Sequence, residues 1–246
     1  MVGKPKNIKS VRDLIKHLRT DISDNKRPTW FRGHAEVNWN LLSSYSRLIN
    51  PPSENTLLKK FKQNAAMLID HRTENSFDWL FLMQHYGVPT RLLDWSESPL
   101  AALYFAVDTE KDSDGALWSL DPVKLNKNAG INSKENCYLP SFDDEELINY
   151  SPESFKGEET TELLPVATIA TRNNPRIQAQ LGVFTISHRD KTPIDKIGKK
   201  DHIRKYLIPK ESKADIQEEL TLCGITKFQL FPELSSIGDN IEKELS

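Results

Sequence analysis

The chain has 246 residues, a length that a single hydrophobic core can still support, and we predict one domain over residues 1–246. Its 33 lysines and arginines nearly balance 35 aspartates and glutamates, and the formal net charge of −2 excludes the global positive field of a non-specific nucleic-acid binder. Hydrophobic residues make up 37% of the chain, with ten Phe, six Tyr and five Trp, which excludes a disordered chain.

Cysteines and histidines give no sign of a metal site or a disulfide framework. Neither Cys137 nor Cys223 has a second cysteine or a histidine at the spacing of metal ligands, and the six histidines are scattered, so we expect no metal. The first residues carry lysines without the apolar run of a signal peptide, and no stretch of about eighteen apolar residues occurs. We therefore predict a soluble, cytoplasmic protein with no membrane partner.

The first half of the chain combines helical patterns with one short strand. Ser10, with Asp13 three residues later, begins one helical pattern, and Ser53 begins another after two prolines. Gly87 has the position of a residue that ends a helix, and Pro89 prevents its continuation. The elements predicted here are helix 10–22, strand 29–33, helix 53–74 and helix 76–86.

The second half contains most of the predicted strands. Ser98 and Pro99 form an N-cap and N1 pair ahead of an apolar helix, which we expect to be buried. Residues 121–164 are polar, and we predict a long, partly helical insertion there. The other predicted elements are helix 98–107, strands 115–120, 166–170, 182–186 and 206–208, helix 212–223 and strand 228–231. Since strands do not alternate strictly with helices, we predict an α+β fold with a mixed or antiparallel central sheet flanked by helices.

Motifs of the common nucleotide-dependent and hydrolytic enzymes, such as GxxxxGK[ST], GxGxxG, HExxH and GxSxG, are absent from the sequence. Polar and aromatic residues are instead concentrated in two segments, 30–33 and 84–95. In the first segment, Arg32 offers a planar set of donors and Gly33 allows close approach of a ligand, which suits a phosphate or carboxylate. A structural ion pair between Arg32 and Asp94 is the alternative.

The second segment holds groups that can bind a nucleotide or move a proton. His85 can act as acid or base, Arg91 can bind an anion, and Asp94 can act as a base or orient another group. Tyr86 and Trp95 can stack on a flat ring. The candidate ligand-binding residues are Arg32, Gly33, Tyr86, Thr90, Arg91, Trp95 and Ser96, and the candidate catalytic residues are Arg32, His85 and Asp94. A purely structural role is the alternative for each of them.

Two further positions are candidate contacts for a nucleotide. Residues 94–98 precede the apolar helix, whose N-terminus has free N–H groups that can bind a phosphate; ordinary capping by Ser98 is the alternative. Gln178 and Gln180 stand just before a predicted strand. If that segment is extended, both amides lie on one face and can hold a ribose or a base, although a polar surface edge explains them equally well.

Four segments give the chain a resemblance to the FRG-domain family. They are FRG at 31–33, MQHYGVPTRLLDWSESPLAALYFA at 83–106, RIQAQLGVF at 176–184 and GIT…LFPEL at 224–234. The resemblance covers most of the chain and implies a protein of the kind often found in bacteria and their mobile elements. It implies no shared reaction, so the chemistry must come from the residues.

The order of three polar segments also resembles that of the ADP-ribosyltransferases. That resemblance implies that Arg32 holds the phosphates of NAD, Ser96 supports the nicotinamide side, and Tyr86 or Trp95 stacks on the nicotinamide. It places Gln180, as a further candidate catalytic residue, where those enzymes commonly have a catalytic glutamate. Because an amide cannot stabilise an oxocarbenium-like transition state as a carboxylate does, Asp94 or Glu97 would have to replace that glutamate.

Two functions of different classes are compatible with these residues. The first is an NAD-consuming, ADP-ribosyltransferase-like effector acting on nucleic acid or protein, which the resemblance associates with antiphage defence or a toxin–antitoxin system and a possible antitoxin or companion subunit. It predicts that Arg32, His85, Arg91, Asp94 and Gln180 converge on one cleft within about 10 Å. The second is a non-catalytic module that binds a nucleotide or partner, with the basic stretch 196–210 contacting the partner.

Overall fold

The computed structural model describes residues 5–22, 27–69, 75–132, 134–156, 162–172, 174–189, 191–233 and 236–238. The described residues form one seven-stranded sheet in the order β1-β7-β4-β2-β3-β6-β5. The strands are β1 Lys6–Asn7, β2 Trp30–His34, β3 Leu92–Ser96, β4 Gly115–Leu120, β5 Val166–Thr168, β6 Gly182–Ile186 and β7 Ile203–Ile208. Strands β1 and β7 are parallel, and the other neighbouring pairs are antiparallel. The predicted α+β fold with a mixed sheet is confirmed.

Helices cover the sheet, and local capping signals place most of their starts. The α-helices are α1 Val11–Asp21, α2 Glu54–Ala65, α3 Ser76–His85, α4 Pro99–Val107, α5 Pro122–Asn128, α6 Pro175–Ala179, α7 Lys213–Leu222 and α8 Lys227–Leu230. The predicted caps Ser10, Ser53 and Ser98 each accept a hydrogen bond from a backbone N–H three residues later. Among the described residues, no helix combines the length and the apolar character needed to cross a membrane.

Several predicted elements differ from the structure. Helix α2 ends at Ala65, well before the predicted end, and residues 70–74 of that prediction lie outside the described residues. Asn174 caps α6 and Thr226 caps α8, so Gln178 lies in a helix and the predicted strand 228–231 is wrong. Gln180 is the C-cap of α6, and the two glutamines therefore do not share a face of an extended strand.

Helix α4 packs directly on β2 at Gly33. A Cβ atom at this position would lie 2.0 Å from the carbonyl oxygen of Ala102 and 2.6 Å from the amide nitrogen of Ala106. Helix backbone, rather than a ligand, therefore takes up the space opened by the missing side chain, which differs from the expected reason for the glycine. The close contact fixes α4 against the strand that carries Arg32.

Residues 121–164 contribute to the core as well as to the surface. The described part contains α5 and short 3-10 helices at Glu145–Tyr150 and Pro152–Lys156, in agreement with the predicted partly helical character. Leu147 and Tyr150 are buried. The buried amide of Asn126 donates to the carbonyl of Ala167 at 2.9 Å and accepts from its N–H at 2.7 Å, so it pairs with β5 as a strand would.

A buried ion pair fixes the start of β3. Arg91 and Glu54 are only 3% and 5% exposed, and the Nε of Arg91 donates to Glu54 at 2.7 Å. The second carboxylate oxygen of Glu54 accepts from the backbone N–H of Arg91 at 2.8 Å. Nη1 and Nη2 donate to the carbonyl oxygens of Ser187 and Tyr150 at 2.8 and 2.5 Å. One guanidinium thereby joins α2, β3, the end of β6 and the 121–164 segment.

We predict that Glu54→Gln strongly destabilises the protein. The neutral amide leaves the Arg91 charge buried without a counter-charge, which costs about 3–5 kcal/mol of unfolding free energy. Urea denaturation followed by tryptophan fluorescence measures the loss. Glu218→Gln, on the exposed face of α7, is the matched control and should unfold like the wild type; equal midpoints for both variants would contradict the structural role of the pair.

Candidate functional site

Two adjoining cavities form a cleft beside the strands β2, β3 and β6. The larger cavity, about 800 Å³, lies between α2, α3 and the strands β3 and β6, and we call it the large lobe. The smaller cavity, about 290 Å³, lies beside β2 and α4, and we call it the small lobe. Asp94, Trp95, Arg176 and Gln180 line both cavities and form the junction between them. The two cavities therefore adjoin at these four residues.

Most of the residues predicted for the site border this cleft. Arg32, Gly33 and Ser96 line the small lobe, His85 and Tyr86 line the large lobe, and Asp94, Trp95 and Gln180 belong to the junction. Thr90 and Arg91 are buried and line neither lobe. The position of Arg91, within the ion pair with Glu54, differs from the expectation that it binds an anion in the cleft.

Arg32 is held in place by two of its three nitrogens. Its Nη1 donates to the carbonyl oxygen of Asp94 at 2.6 Å, and its Nε donates to Nε2 of His34 at 3.2 Å. Nη2 makes no hydrogen bond to any residue that the structure describes, and the side chain is 21% exposed. Burial lowers the pKa of Arg32, partly offset by the Asp94 charge, but a guanidinium stays charged at neutral pH. Arg32 is thus a fixed cation with donors left for a ligand.

His34, which the sequence analysis did not identify, supports Arg32 from the same face of β2. Burial, with the nearby charges of Arg32 and Lys205, lowers the pKa of His34 to about 3, so its ring is neutral. A neutral imidazole has only one acceptor nitrogen. Two donors approach the ring, because the indole N–H of Trp118 lies 3.3 Å from Nδ1 while Arg32 approaches Nε2, so only one of the two can form a hydrogen bond. We assign the hydrogen bond to Arg32, the charged and closer donor. The sequence signal for His34 was its spacing of two residues from Arg32, which places both side chains on one face of a strand.

Asp94 presents its carboxylate at the junction, where the side chain is 58% exposed. Its Oδ1 accepts from Nε2 of Gln84 at 2.5 Å, and its Oδ2 lies 4.0 Å from Nη1 of Arg32. The hydroxyl of buried Thr90 donates to Oε1 of Gln84 and accepts from the N–H of Leu92 at 3.3 Å. Thr90 therefore orients Gln84 and, through it, the carboxylate, rather than contacting a ligand as expected.

Gln180 and Ser96 connect elements around the junction. Nε2 of Gln180 donates to the carbonyl oxygen of Leu230 at 3.0 Å, and its own backbone carbonyl oxygen accepts from the Ser96 hydroxyl at 2.6 Å. The Ser96 hydroxyl also accepts from the N–H of Ser98 at 2.9 Å. Glu97, the other carboxylate considered to replace a glutamate, is paired with Arg172 and lines neither lobe. Asp94 is the carboxylate at the junction.

Aromatic and basic side chains complete the walls. Trp95 is buried, and its indole N–H donates to the Thr185 hydroxyl at 3.0 Å, so its ring is fixed. Trp39, 43% exposed, and Phe105 line the small lobe. Arg176, a junction residue that the sequence analysis did not single out, lies over the Phe231 ring at 4.6 Å. Aromatic surface and a second guanidinium thus accompany Arg32.

Residues 27–115 match the family model of the FRG domain. The chain contains an FRG domain. The matched residues include β2, α2, α3, β3 and α4, so the FRG domain supplies Arg32, Gln84 and Asp94. Arg176 and Gln180 follow it in the chain. No curated protein and no solved structure matches the sequence.

We predict that the protein loses stability as the pH falls from about 6.5 towards about 3, because the folded state keeps His34 neutral while the unfolded chain accepts a proton. The contribution is fully present above the unfolded pKa and is lost below it. Thermal unfolding at pH 7.5 and pH 5 measures the decline. His34→Gln, which has no imidazole to protonate, should show a smaller decline; parallel declines would exclude His34 as a cause.

Proposed function

We propose that this FRG-domain protein cleaves NAD at the junction and transfers the ADP-ribose group to an acceptor. The observation that carries the proposal is the proximity of a fixed guanidinium, Arg32 in the small lobe, to an oriented carboxylate, Asp94 at the junction with the large lobe. They come from adjacent strands, because β2 pairs with β3. Gln180 lies two residues before the start of β6, which pairs with β3 on its other side. This arrangement supports the resemblance to the ADP-ribosyltransferases.

The cleft has the size and the donors that a dinucleotide requires. Binding sites for small molecules commonly measure about 300–1,000 Å³ and combine apolar walls with a few polar groups. Nη2 of Arg32 and the guanidinium of Arg176 suit the diphosphate. The small lobe, between Trp39 and Phe105, suits the adenosine half, which places the nicotinamide half towards the large lobe. The reactive ribose then lies beside Asp94.

The reaction proposed for this geometry is a substitution at C1′ of the ribose. The bond between C1′ and the nicotinamide nitrogen breaks, and nicotinamide leaves with the electron pair. The acceptor forms a new bond to C1′ and gives up one proton. The Asp94 carboxylate stabilises the positive charge that develops on the ribose, as a preorganised charge does in other enzymes. His85, which lines the same large lobe, takes the proton.

A non-catalytic nucleotide-binding module is the second candidate. It is favoured by one observation, the hydrogen bond of the Gln180 amide to Leu230, at the position where the ADP-ribosyltransferases commonly have a catalytic glutamate. In this case Arg32 and Arg176 would bind the diphosphate without any turnover. Assays of binding and of nicotinamide release distinguish the two functions.

We predict that Asp94→Asn reduces nicotinamide release from NAD by about 100-fold or more, because it removes the charge that stabilises the transition state. Asparagine still accepts a hydrogen bond from Gln84, so the fold should persist. Affinity for ADP-ribose should hold or improve, because a negative charge near the diphosphate is removed. Chromatographic measurement of nicotinamide, with purified protein and a cell extract as acceptor source, gives the rate.

Asp215→Asn, on the exposed face of α7, is the matched control for charge loss and should release nicotinamide like the wild type. Wild-type protein that binds ADP-ribose but releases no nicotinamide in the extract would establish the binding module instead. Equal rates for wild type and Asp94→Asn would assign the catalytic charge to another residue.

We predict that Arg32→Lys weakens ADP-ribose binding by roughly tenfold or more. Lysine keeps the charge but loses the planar donor set, and a hydrogen bond to a charged group is worth about 1.5–3 kcal/mol. Isothermal titration calorimetry measures the affinity, and circular dichroism checks that the variant is folded. Unchanged affinity would exclude Arg32 as the phosphate ligand.

A further inference from the structure

The large lobe opens onto an exposed aromatic surface. Tyr86, at the end of α3, is 67% exposed, and its ring centroid lies 4.9 Å from that of His85 and 6.5 Å from that of Phe61. All three line the large lobe, and exposed Leu68 extends the apolar surface. We call Phe61, His85 and Tyr86 the aromatic rim. At about 800 Å³ against about 290 Å³, this lobe has room for an acceptor beside the nicotinamide half.

Positive charge lies next to the aromatic rim along α2. Nζ of Lys62 is 5.2 Å from the ring centroid of Trp79, whose edge contacts Phe61 at 6.3 Å between centroids. Lys60 is exposed one turn before Asn64, which lines the large lobe and donates to the Lys60 carbonyl at 2.8 Å. Because the net charge of the whole chain is −2, the positive charge of Lys60 and Lys62 is a local property of this part of the surface.

We infer that the acceptor is a nucleobase of single-stranded nucleic acid, an inference that rests on the proposed function. Non-specific single-strand sites combine aromatic rings, on which bases stack, with basic groups that follow the phosphates. Tyr86 is the exposed ring, and Lys60 and Lys62 are the basic groups. A base in a single strand enters a pocket without the cost of breaking a pair. The new bond joins C1′ to a base nitrogen, and the proton of that nitrogen passes to His85.

Binding of a fluorescein-labelled, single-stranded oligonucleotide, measured by anisotropy without NAD, tests the surface independently of the reaction. Tyr86→Ala should raise the Kd by about 5- to 150-fold, which corresponds to the loss of one base stack. Tyr86→Phe keeps the ring and should bind like the wild type. Phe228→Ala, an exposed ring on α8 that lines neither lobe, is the control. Equal Kd values for wild type and Tyr86→Ala would overturn the inference.

The salt dependence of binding tests the lysines. Replacing Lys60 and Lys62 by glutamine should reduce the slope of log K against log salt by about 0.7 for each phosphate that the protein no longer neutralises. A duplex of the same sequence should bind more weakly than the single strand, because its bases are stacked internally. An unchanged slope, or tighter binding of the duplex, would contradict the proposed site.

Transfer from phosphate-labelled NAD, in an extract supplemented with the oligonucleotide, identifies the acceptor. Label in the oligonucleotide supports the inference, and label only in the protein fraction overturns it in favour of a protein acceptor. Tyr86-dependent binding without any nicotinamide release in the same extract would overturn the proposed function and leave a nucleic-acid-binding surface. Nicotinamide release without oligonucleotide binding would overturn the inference and leave the proposed function intact.

Discussion

The buried pair of Arg91 and Glu54 sets the geometry of everything at the junction. The guanidinium of Arg91 is planar, and its donors point in fixed directions. The segments that carry its acceptors, which are α2, the 121–164 segment and the end of β6, must therefore approach the start of β3 in one arrangement. The carbonyl oxygen of Arg91 also accepts from the N–H of Ser187, which continues the pairing of β3 with β6. Asp94 follows three residues later, and its position is a consequence of this anchor. The buried charge of Arg91 thus determines the position of the exposed carboxylate of Asp94.

A second constraint, the contact of α4 with Gly33, fixes the other half of the site. The helix backbone lies against β2, and the antiparallel pairing of Phe31 with Ser96 then brings Arg32 beside Asp94. Neutral His34 accepts from Arg32 without adding a competing charge. Backbone contacts and the two hydrogen bonds of the guanidinium, rather than the ion pair itself, therefore hold Arg32 near the carboxylate.

Local signals in the sequence predicted much of the fold but could not assign the side chains of the site. Caps such as Ser98 act within one turn, so their helices could be predicted. The cap at Asn174 with Pro175 was an equally local signal of a helix, and the extended conformation considered for the two glutamines does not occur. Arg91 and Asp94 lie in one segment, but only the structure shows which faces the core, because the partner of Arg91 is 37 residues away. Arg176 was missed because its role depends on such a distant partner, Phe231. His34 lies only two residues from Arg32, but the burial that keeps its ring neutral depends on distant parts of the chain.

The energetics of the junction favour a role in ligand chemistry over one in stability. The contact between Arg32 and Asp94 is 4.0 Å long and the carboxylate is more than half exposed, so solvent screens it and it contributes little to folding. Yet Gln84 and Thr90 are committed to orienting that carboxylate. An orienting chain of hydrogen bonds brings little benefit to a screened ion pair, but it is what a charge aimed at a bound ligand requires. The FRG domain supplies this whole assembly, whereas Arg176 comes from the residues that follow it.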